Sequence, residues 1–272
     1  MKVPGAAGFL PSSVQAPSPS DVWIFGTWNG HGYARVLHWN GRTWSSPPLP
    51  AGTSLIAALA LSPANVWIAD GPLGPDNGKT TMWHWNGASW RSSILGTDIS
   101  GLAAAGPSDV WAVGMTVGSH DVRHPAAYRW NGHTWRYVSM PRPRIGTSPT
   151  VAVSSASTTW VALPLRGAGC SILKHHGRTW TKLRIASWAF PLCGDLAADG
   201  HGGLWDGPFA HWTGRAWAQL PILLPFANDR AATITDMIAV PRSSAMLLTG
   251  YIQRTRNSSA FDGLIAADGR LP

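Results

Sequence analysis

Tryptophan recurs along this chain at a nearly fixed interval, and this feature constrains the fold more than any other. Of the 17 tryptophans, 14 stand at three repeated positions. The first position holds Trp23, Trp67, Trp111, Trp160 and Trp205, at successive spacings of 44, 44, 49 and 45 residues. The second position holds Trp39, Trp85, Trp130 and Trp212. The third position holds Trp44, Trp90, Trp135, Trp180 and Trp217. A period of this length is typical of arrays in which each repeat packs against the next.

Each repeat has the pattern of a four-stranded antiparallel sheet. An apolar segment is followed by a turn of the type Ser18-Pro19-Ser20-Asp21, a strand with the first tryptophan, a variable loop, and a third strand. The third strand ends in Asn-Gly, the strongest short signal for a type I′ hairpin. If Asn40-Gly41 forms the loop, alternation along the strands places Trp39 and Trp44 on one side. We therefore expect each sheet to bury a tryptophan-rich face against its neighbour.

Six such units predict an all-β, six-bladed β-propeller with four-stranded antiparallel blades. We expect a single domain over 1–272, with repeats at approximately 12–50, 51–95, 96–142, 143–186, 187–230 and 231–272 plus 1–11. The sixth unit lacks tryptophan, and Asp268-Gly269 aligns with Asn40-Gly41. This alignment predicts that the N- and C-termini meet in the sixth blade and close the ring. A part of a seven- or eight-bladed ring is the alternative.

The amino-acid composition and net charge of the chain limit the functions that it could have. The chain has no glutamate, and all 13 acidic residues are aspartate, which suits a turn-rich β protein. The net charge of +8 is carried by 17 arginines and 4 lysines. Arginine codon bias with solubility is one explanation, and a basic face for an acidic partner is the other. There is no dense basic run of the kind that binds nucleic acid, and no 18-residue apolar stretch that would span a membrane. We expect a monomer.

The segments Asp109–Gly114 (DVWAVG) and His38–Trp44 (HWNGRTW) resemble propeller repeats common in actinobacterial and other bacterial secreted proteins. The hairpin also resembles a shortened Asp-box of sialidase-type propellers and the tryptophan-rich hairpins of propeller lectins. This resemblance implies a carbohydrate-binding or other binding propeller and favours an extracellular or cell-surface location. The first ten residues lack the charged and apolar blocks of a signal peptide, which leaves the compartment open. Sialidases use a Tyr nucleophile supported by Glu, and fucose lectins pair Arg with Glu. Because this chain has no glutamate, it cannot contain either of these sites in the same form.

Candidate site residues lie on the loops between the second and third strands and on the blade linkers. These loops are long and variable, whereas the opposite face carries tight turns, and function concentrates on variable loops over a rigid scaffold. Their Arg, Asn and Trp side chains suit a polar or anionic ligand. The predicted binding residues are Trp28, Asn29, His31, Tyr33, Arg35, Asp76, Lys79, His120, Arg123, Arg142, Arg144, Arg166, Trp188 and Arg254.

The histidines do not predict a metal site. His120, Asp121 and His124 are close in sequence, and we interpret them as a solvated loop. His38, His84, His175 and His211 are interpreted as one structural column at a repeat position. We expect no metal and no cofactor.

The two cysteines, Cys170 and Cys193, are expected at neighbouring strand ends of adjacent blades. Such positions allow a disulfide if the Cα atoms approach to about 5.5–6 Å. Two buried free thiols are the alternative.

Three functions remain open at this level. The first is a non-enzymatic binding module that uses its long-loop face to hold a glycan or a protein partner. The second is a carbohydrate-active hydrolase or lyase, and the third is a structural or adhesive surface protein. The absence of glutamate and of a convergent acid–base pair favours the first over an enzyme.

Overall fold

The computed structural model describes residues 8–28, 34–71, 78–155, 157–167, 169–185, 193–199, 201–207, 210–219, 232–239, 246–253 and 261–268. Within these ranges the regular structure is almost entirely β, and a 3-10 turn lies at Ser119–Asp121. In the part of the chain that the structure describes, no helix could span a membrane.

The strands form consecutive antiparallel sheets in which the order across each sheet follows the chain. The first blade consists of β1 (Phe9–Ser18), β2 (Asp21–Trp28), β3 (Ala34–Trp39) and β4 (Trp44–Ser45). The second consists of β5 (Leu55–Ser62), β6 (Asn65–Asp70), β7 (Thr80–Trp85) and β8 (Trp90–Leu95). The third consists of β9 (Asp98–Gly106), β10 (Asp109–Val117), β11 (Arg123–Trp130) and β12 (Trp135–Val138).

The fourth blade consists of β13 (Thr150–Ser155), β14 (Thr158–Pro164), β15 (Cys170–His176) and β16 (Thr179–Lys182). The fifth consists of β17 (Leu196–Ala198), β18 (Leu204–Asp206), β19 (Ala210–Trp212) and β20 (Trp217–Gln219). The last sheet has three strands, β21 (Ala232–Ala239), β22 (Met246–Gln253) and β23 (Phe261–Asp268).

The prediction of six four-stranded blades is therefore wrong, because the described residues form five four-stranded blades and one three-stranded sheet. In the five blades the outer strand follows a hairpin that carries tryptophan, whereas residues 231–272 contain no tryptophan to pack such a hairpin. The predicted closure of the ring by the two termini concerns residues 1–7 and 269–272, which lie outside the described ranges.

The chain divides into two compact units, Met1–Leu55 with Pro221–Pro272, and Ile56–Leu220. In the first unit, β1 packs against β21 and β22. Val14 N donates a hydrogen bond to Asp236 Oδ2 at 2.8 Å, and Ile238 packs on the cluster of Phe9, Val14 and Leu37. The core of this unit therefore includes the interface between the first blade and the three-stranded sheet.

In the second unit, the core lies between successive blades, and the first tryptophan of one blade packs against the hairpin of the next. The ring centroid of Trp67 lies 5.1 Å from that of Trp130 and 5.4 Å from that of Trp135. Trp111 likewise lies 6.2 Å from Trp180. Trp67 and Trp111 are each 1% exposed. Burial of aromatic surface between blades explains why tryptophan recurs at these positions.

The Asn-Gly hairpins differ from the predicted two-residue type I′ turn. Trp39 pairs directly with Trp44, so four residues separate the strands. Asn40 Oδ1 accepts hydrogen bonds from the backbone amides of Arg42 at 3.0 Å and Thr43 at 2.9 Å. In this turn Gly41 alone has a positive φ, at +88°, whereas a type I′ turn requires positive φ at both of its central residues. The two tryptophans still lie on one side, with ring centroids 5.6 Å apart.

Candidate binding site

A cavity of about 350 Å³ opens on the first blade, on the side that packs against β21. Its lining consists of Phe9, Trp28, Arg35, Leu37, Trp44, Ser45 and Ser46. Trp28 and Arg35 belong to the binding residues predicted from sequence. The guanidinium carbon of Arg35 lies 5.6 Å from the centroid of the Trp28 ring, within range of a cation–π interaction.

The strand register explains how these side chains meet. Trp28, at the end of β2, pairs with Phe9 of β1, and Arg35 of β3 pairs with Gly26 of β2. Arg35 and Leu37 share one face of β3 because side chains alternate along a strand. A Cβ at Gly26 would lie 2.1 Å from Leu10 O, so only glycine fits at this position opposite Arg35.

Arg35 also lines a second cavity of about 290 Å³, which places it between two recesses. The remaining lining is Ala34, Val36 and the segment 46–53 with Pro47, Pro48 and Pro50. Ala34 N donates to Thr53 O at 3.1 Å, and Thr53 Oγ1 donates to Pro50 O at 2.6 Å. These bonds and the fixed φ of proline hold the segment in place. We call the two cavities together the Arg35 groove.

The walls of the 350 Å³ cavity are mainly apolar, whereas those of the 290 Å³ cavity are more polar. Among the described residues that line either cavity, Arg35 is the only ionisable one, and its side chain is exposed. The polar groups beside it include the hydroxyls of Ser45 and Ser46 and backbone groups of the proline-rich segment. Sequence reasoning missed Phe9, Leu37, Trp44 and the prolines, because their packing on Trp28 and Arg35 depends on strand register.

A second group of predicted residues comes together on the third and fourth blades. Its members are His120, Arg123, Arg142, Arg144 and Arg166. With the neighbouring His124, which was not among the predicted binding residues, we call them the basic cluster. Ile145 N donates to Arg123 O at 3.0 Å, and Arg166 N donates to Arg144 O at 3.2 Å. His124 Nδ1 lies 3.1 Å from Arg142 O. These contacts join the start of β11 to the linker before β13 and to the loop after β14.

The basic cluster contains an unusual backbone turn. Among the described residues other than glycine, only His120 and Asp121 have positive φ, at 60° and 55°. The turn presents the Asp121 carboxylate to Arg123, whose Nε and terminal nitrogen donate at 3.2 and 3.3 Å. Arg123 also donates to Gly146 O at 3.2 Å. The turn therefore anchors Arg123 between β11 and the linker.

The predicted histidine column is partly wrong. Trp23 pairs with His38, Trp67 with His84 and Trp205 with His211, and each histidine stacks on its tryptophan with centroids 3.8–4.2 Å apart. In the fourth blade, however, Trp160 pairs with Lys174, and His175 pairs with Trp180.

His175 therefore takes the place of the second tryptophan rather than that of His38. Its ring centroid lies 5.0 Å from that of Trp111 in the preceding blade. Burial, followed by the charge of Arg129, lowers the pKa of His175, so this side chain favours its neutral, packing form.

Two buried carboxyls of the fifth blade were not anticipated. Burial raises the pKa of Asp195 to about 6. Burial also raises the pKa of Asp206 to about 6, against the opposing effect of a hydrogen bond from Gly194 N at 3.0 Å. Neither residue lines the Arg35 groove. Within the ranges that the structure describes, there is no group of three His, Cys or Asp side chains placed to bind a metal ion.

Of the remaining predicted binding residues, the structure describes only Lys79. Lys79 is exposed and stands just before β7. Asn29, His31, Tyr33, Asp76, Trp188 and Arg254 lie outside the described residues. The structure links Cys170, at the start of β15, to Cys193, before β17, in a disulfide with Cα atoms 5.4 Å apart.

No protein-family model matches the chain, and no curated protein matches it either. Solved structures do match in fold. The Aleuria aurantia lectin in complex with Fucα1-6GlcNAc is 10% identical, with a TM-score of 0.58 over 96% of this chain and 95% of the lectin. YCF48 bound to D1 peptide is 17% identical, with a TM-score of 0.53 over 97% of this chain and 82% of YCF48.

A sialidase of Trypanosoma rangeli is 10% identical, with a TM-score of 0.61 over 97% of this chain and 54% of the sialidase. Together these similarities show a β-propeller fold, in agreement with the propeller part of the fold prediction. The bacterial repeat type stays a prediction.

Proposed function

We propose that this protein is a non-enzymatic binding propeller whose Arg35 groove holds a saccharide. The observation that carries the proposal is the arrangement of Arg35 over the Trp28 ring at the mouth of an apolar cavity of about 350 Å³. Ligand sites are typically recesses of about 300–1,000 Å³ with apolar and aromatic walls and a few polar groups that fix orientation. The groove has these properties.

A saccharide ring suits this chemistry better than a purely apolar ligand. A sugar has an apolar face that can pack on an aromatic ring and a rim of hydroxyls that need hydrogen-bond partners. Trp28 and Trp44 supply aromatic surface, while Arg35, Ser45 and Ser46 supply donors and acceptors. The lectin with Fucα1-6GlcNAc supports a saccharide on this fold.

The groove favours binding over hydrolysis. Most glycoside hydrolases use two carboxyl groups that flank the scissile bond. Among the described residues that line the Arg35 groove there is no aspartate, and the chain has no glutamate. The same fold holds a peptide in YCF48, so a peptide ligand is the competing result that the experiment must separate.

The test is a glycan-array screen of the wild-type protein, followed by calorimetry with the best hit. We expect Trp28→Ala and Arg35→Ala each to weaken binding about thirtyfold or more, because truncation of an anchor residue costs about 2 kcal/mol or more. Tyr137→Ala is a matched control, since Tyr137 is an aromatic side chain that is 51% exposed on another blade.

Arg35 is exposed, so we expect Arg35→Ala to keep the fold, and a loss of binding in this variant would reflect the site itself. Thermal melting curves of all variants check that they are folded. An array without specific hits, or equal losses in the Tyr137→Ala control, would refute the saccharide proposal. Specific capture of a peptide that depends on Trp28 would reassign the groove to a peptide.

A further inference from the structure

Two arginines of the basic cluster stand directly opposite each other. An isolated antiparallel bridge pairs Ile145 with Leu165, and Arg166 N donates to Arg144 O at 3.2 Å. Arg144 and Arg166 are therefore the next facing pair along this short ladder. Facing residues on antiparallel strands have Cβ atoms about 4.5–5.5 Å apart, so both side chains leave from the same side.

This side faces solvent. The side chain of Ile145 is 2% exposed and points into the core. Because successive side chains alternate across an extended segment, Arg144 projects away from the core. Arg144 and Arg166 are both exposed. The pair therefore presents two guanidinium groups to any molecule that approaches this face.

Like charges directly opposite one another destabilise a sheet, and the protein compensates its other facing arginine pair. Arg129 lies opposite Arg136, and Arg129 donates two hydrogen bonds to Asp109 at 2.5 and 2.9 Å. By contrast, neither Arg144 nor Arg166 makes an ion pair with any acid in the described ranges.

The nearby acids are already placed elsewhere. The Asp121 carboxylate is engaged by Arg123. Asp98 lies on β9, opposite Met115, and is separated from β11 by β10. The positive charge of the Arg144–Arg166 pair is therefore left for a ligand.

We propose that Arg144 and Arg166 form a site for a tetrahedral oxyanion, a sulfate or phosphate ester group. A carboxylate that pairs bidentately with one guanidinium uses both of its oxygens in that contact. The terminal oxygens of a tetrahedral ester diverge, so one group can accept hydrogen bonds from both guanidiniums. Arg142 adds positive potential around the pair, which raises the local concentration of anions.

This site is separate in its residues from the Arg35 groove, and the inference does not rest on the saccharide proposal. The site would bind a sulfate or phosphate group, which can be a free ion or an ester on a larger ligand. The probes must therefore distinguish the free ion from the ester and the sulfate from the phosphate.

The experiment is titration calorimetry of the full chain at low salt with five probes: a sulfated heparin tetrasaccharide, its desulfated counterpart, a phosphorylated mannose oligosaccharide, inorganic sulfate, and an acidic peptide of the same charge as the sulfated sugar. We expect one or both esters to bind and the desulfated sugar not to bind. Arg144→Gln with Arg166→Gln should weaken ester binding about tenfold or more, because charge-assisted hydrogen bonds are lost.

The matched control is Arg178→Gln with Arg215→Gln, which removes the same two charges from exposed hairpin turns of the fourth and fifth blades. We expect this control to weaken binding less than about threefold, through the general field alone. Trp28→Ala should leave ester binding unchanged, so that failure of the saccharide proposal and failure of this one can be told apart.

Three results would overturn the oxyanion site. They are equal losses in the two double variants, equal binding of the sulfated and desulfated sugars, and no binding of any ester. Tighter binding of an acidic peptide of equal charge would also overturn it in favour of a carboxylate ligand. The four substituted arginines are exposed, and thermal melting curves that match the wild type verify that every variant is folded.

Discussion

At the scale of single residues, the first three blades have a small polar unit beside the first tryptophan. A residue of the preceding turn bonds to the side chain that lies over the ring: Asp21 with His38 at 2.7 Å, Asn65 with His84 at 3.1 Å, and Asp109 with Arg129. Asp109 is 8% exposed, and the guanidinium of Arg129 lies 5.4 Å from the Trp111 centroid. The aspartates of these turns therefore orient the residues that cover the tryptophans.

We predict that Asp109→Asn lowers the free energy of unfolding by about 1.5–3 kcal/mol, because a nearly buried carboxylate loses two charge-assisted hydrogen bonds. The control is Asp121→Asn, which keeps a residue suited to positive φ. Asp121 is exposed in its pair with Arg123, and such pairs contribute about 0–1 kcal/mol. Urea denaturation of both variants gives the comparison, and equal effects would contradict the prediction.

At the scale of elements, the hairpin between the third and fourth strands is the most regular part of each blade. Asn86 and Asn131 repeat the hydrogen bonds of Asn40, each accepting two backbone amides at 2.9–3.0 Å. The glycine after each asparagine has φ between +88° and +96°. Asparagine and glycine recur here because one side chain closes the turn and the next residue needs left-handed backbone.

Gly132→Ala should therefore destabilise the third blade by about 1–2 kcal/mol, since an L-residue at φ +96° is strained. The added Cβ would also lie 3.1 Å from the Cβ of Ser108. Gly106→Ala is the comparison, because a Cβ there meets nothing within 4 Å and its φ is not positive. We expect that variant to be neutral or slightly stabilising. Thermal unfolding in which Gly132→Ala matches Gly106→Ala would refute the argument.

At the scale of the whole molecule, the disulfide joins the fourth and fifth blades within one unit. Cys170 and Cys193 are separated by 23 residues and are the only cysteines of the chain. Thr150 Oγ1 also donates to Gly194 O at 3.0 Å, so β13 is tied to the same segment. A covalent link restricts the unfolded chain and holds this segment against the fourth blade.

We predict that reduction lowers the free energy of unfolding by about 2–4 kcal/mol. In denaturant without reductant, neither cysteine should react with a thiol-alkylating reagent, and mass spectrometry after proteolysis should recover the linked peptides. The Cys170→Ala/Cys193→Ala variant should show no response to reductant. Labelling of both cysteines in unreduced protein would refute the link.

The sequence by itself determined the repeat, the strands and the burial of the tryptophans, because alternation, turn chemistry and period are local properties of the chain. The tertiary structure decided the rest. It paired Trp39 directly with Trp44 and placed His175 in a tryptophan position, and the last sheet has three strands within the described residues.

Sequence placed Trp28, Arg35, Arg144 and Arg166 on loops and strand ends but did not show which would meet. Arg35 reaches Trp28 through the β2–β3 register, and Arg144 faces Arg166 because the linker before β13 pairs with the loop after β14. Contacts between segments about 20 residues apart depend on how the linkers between them pack, and a local sequence pattern does not determine that packing.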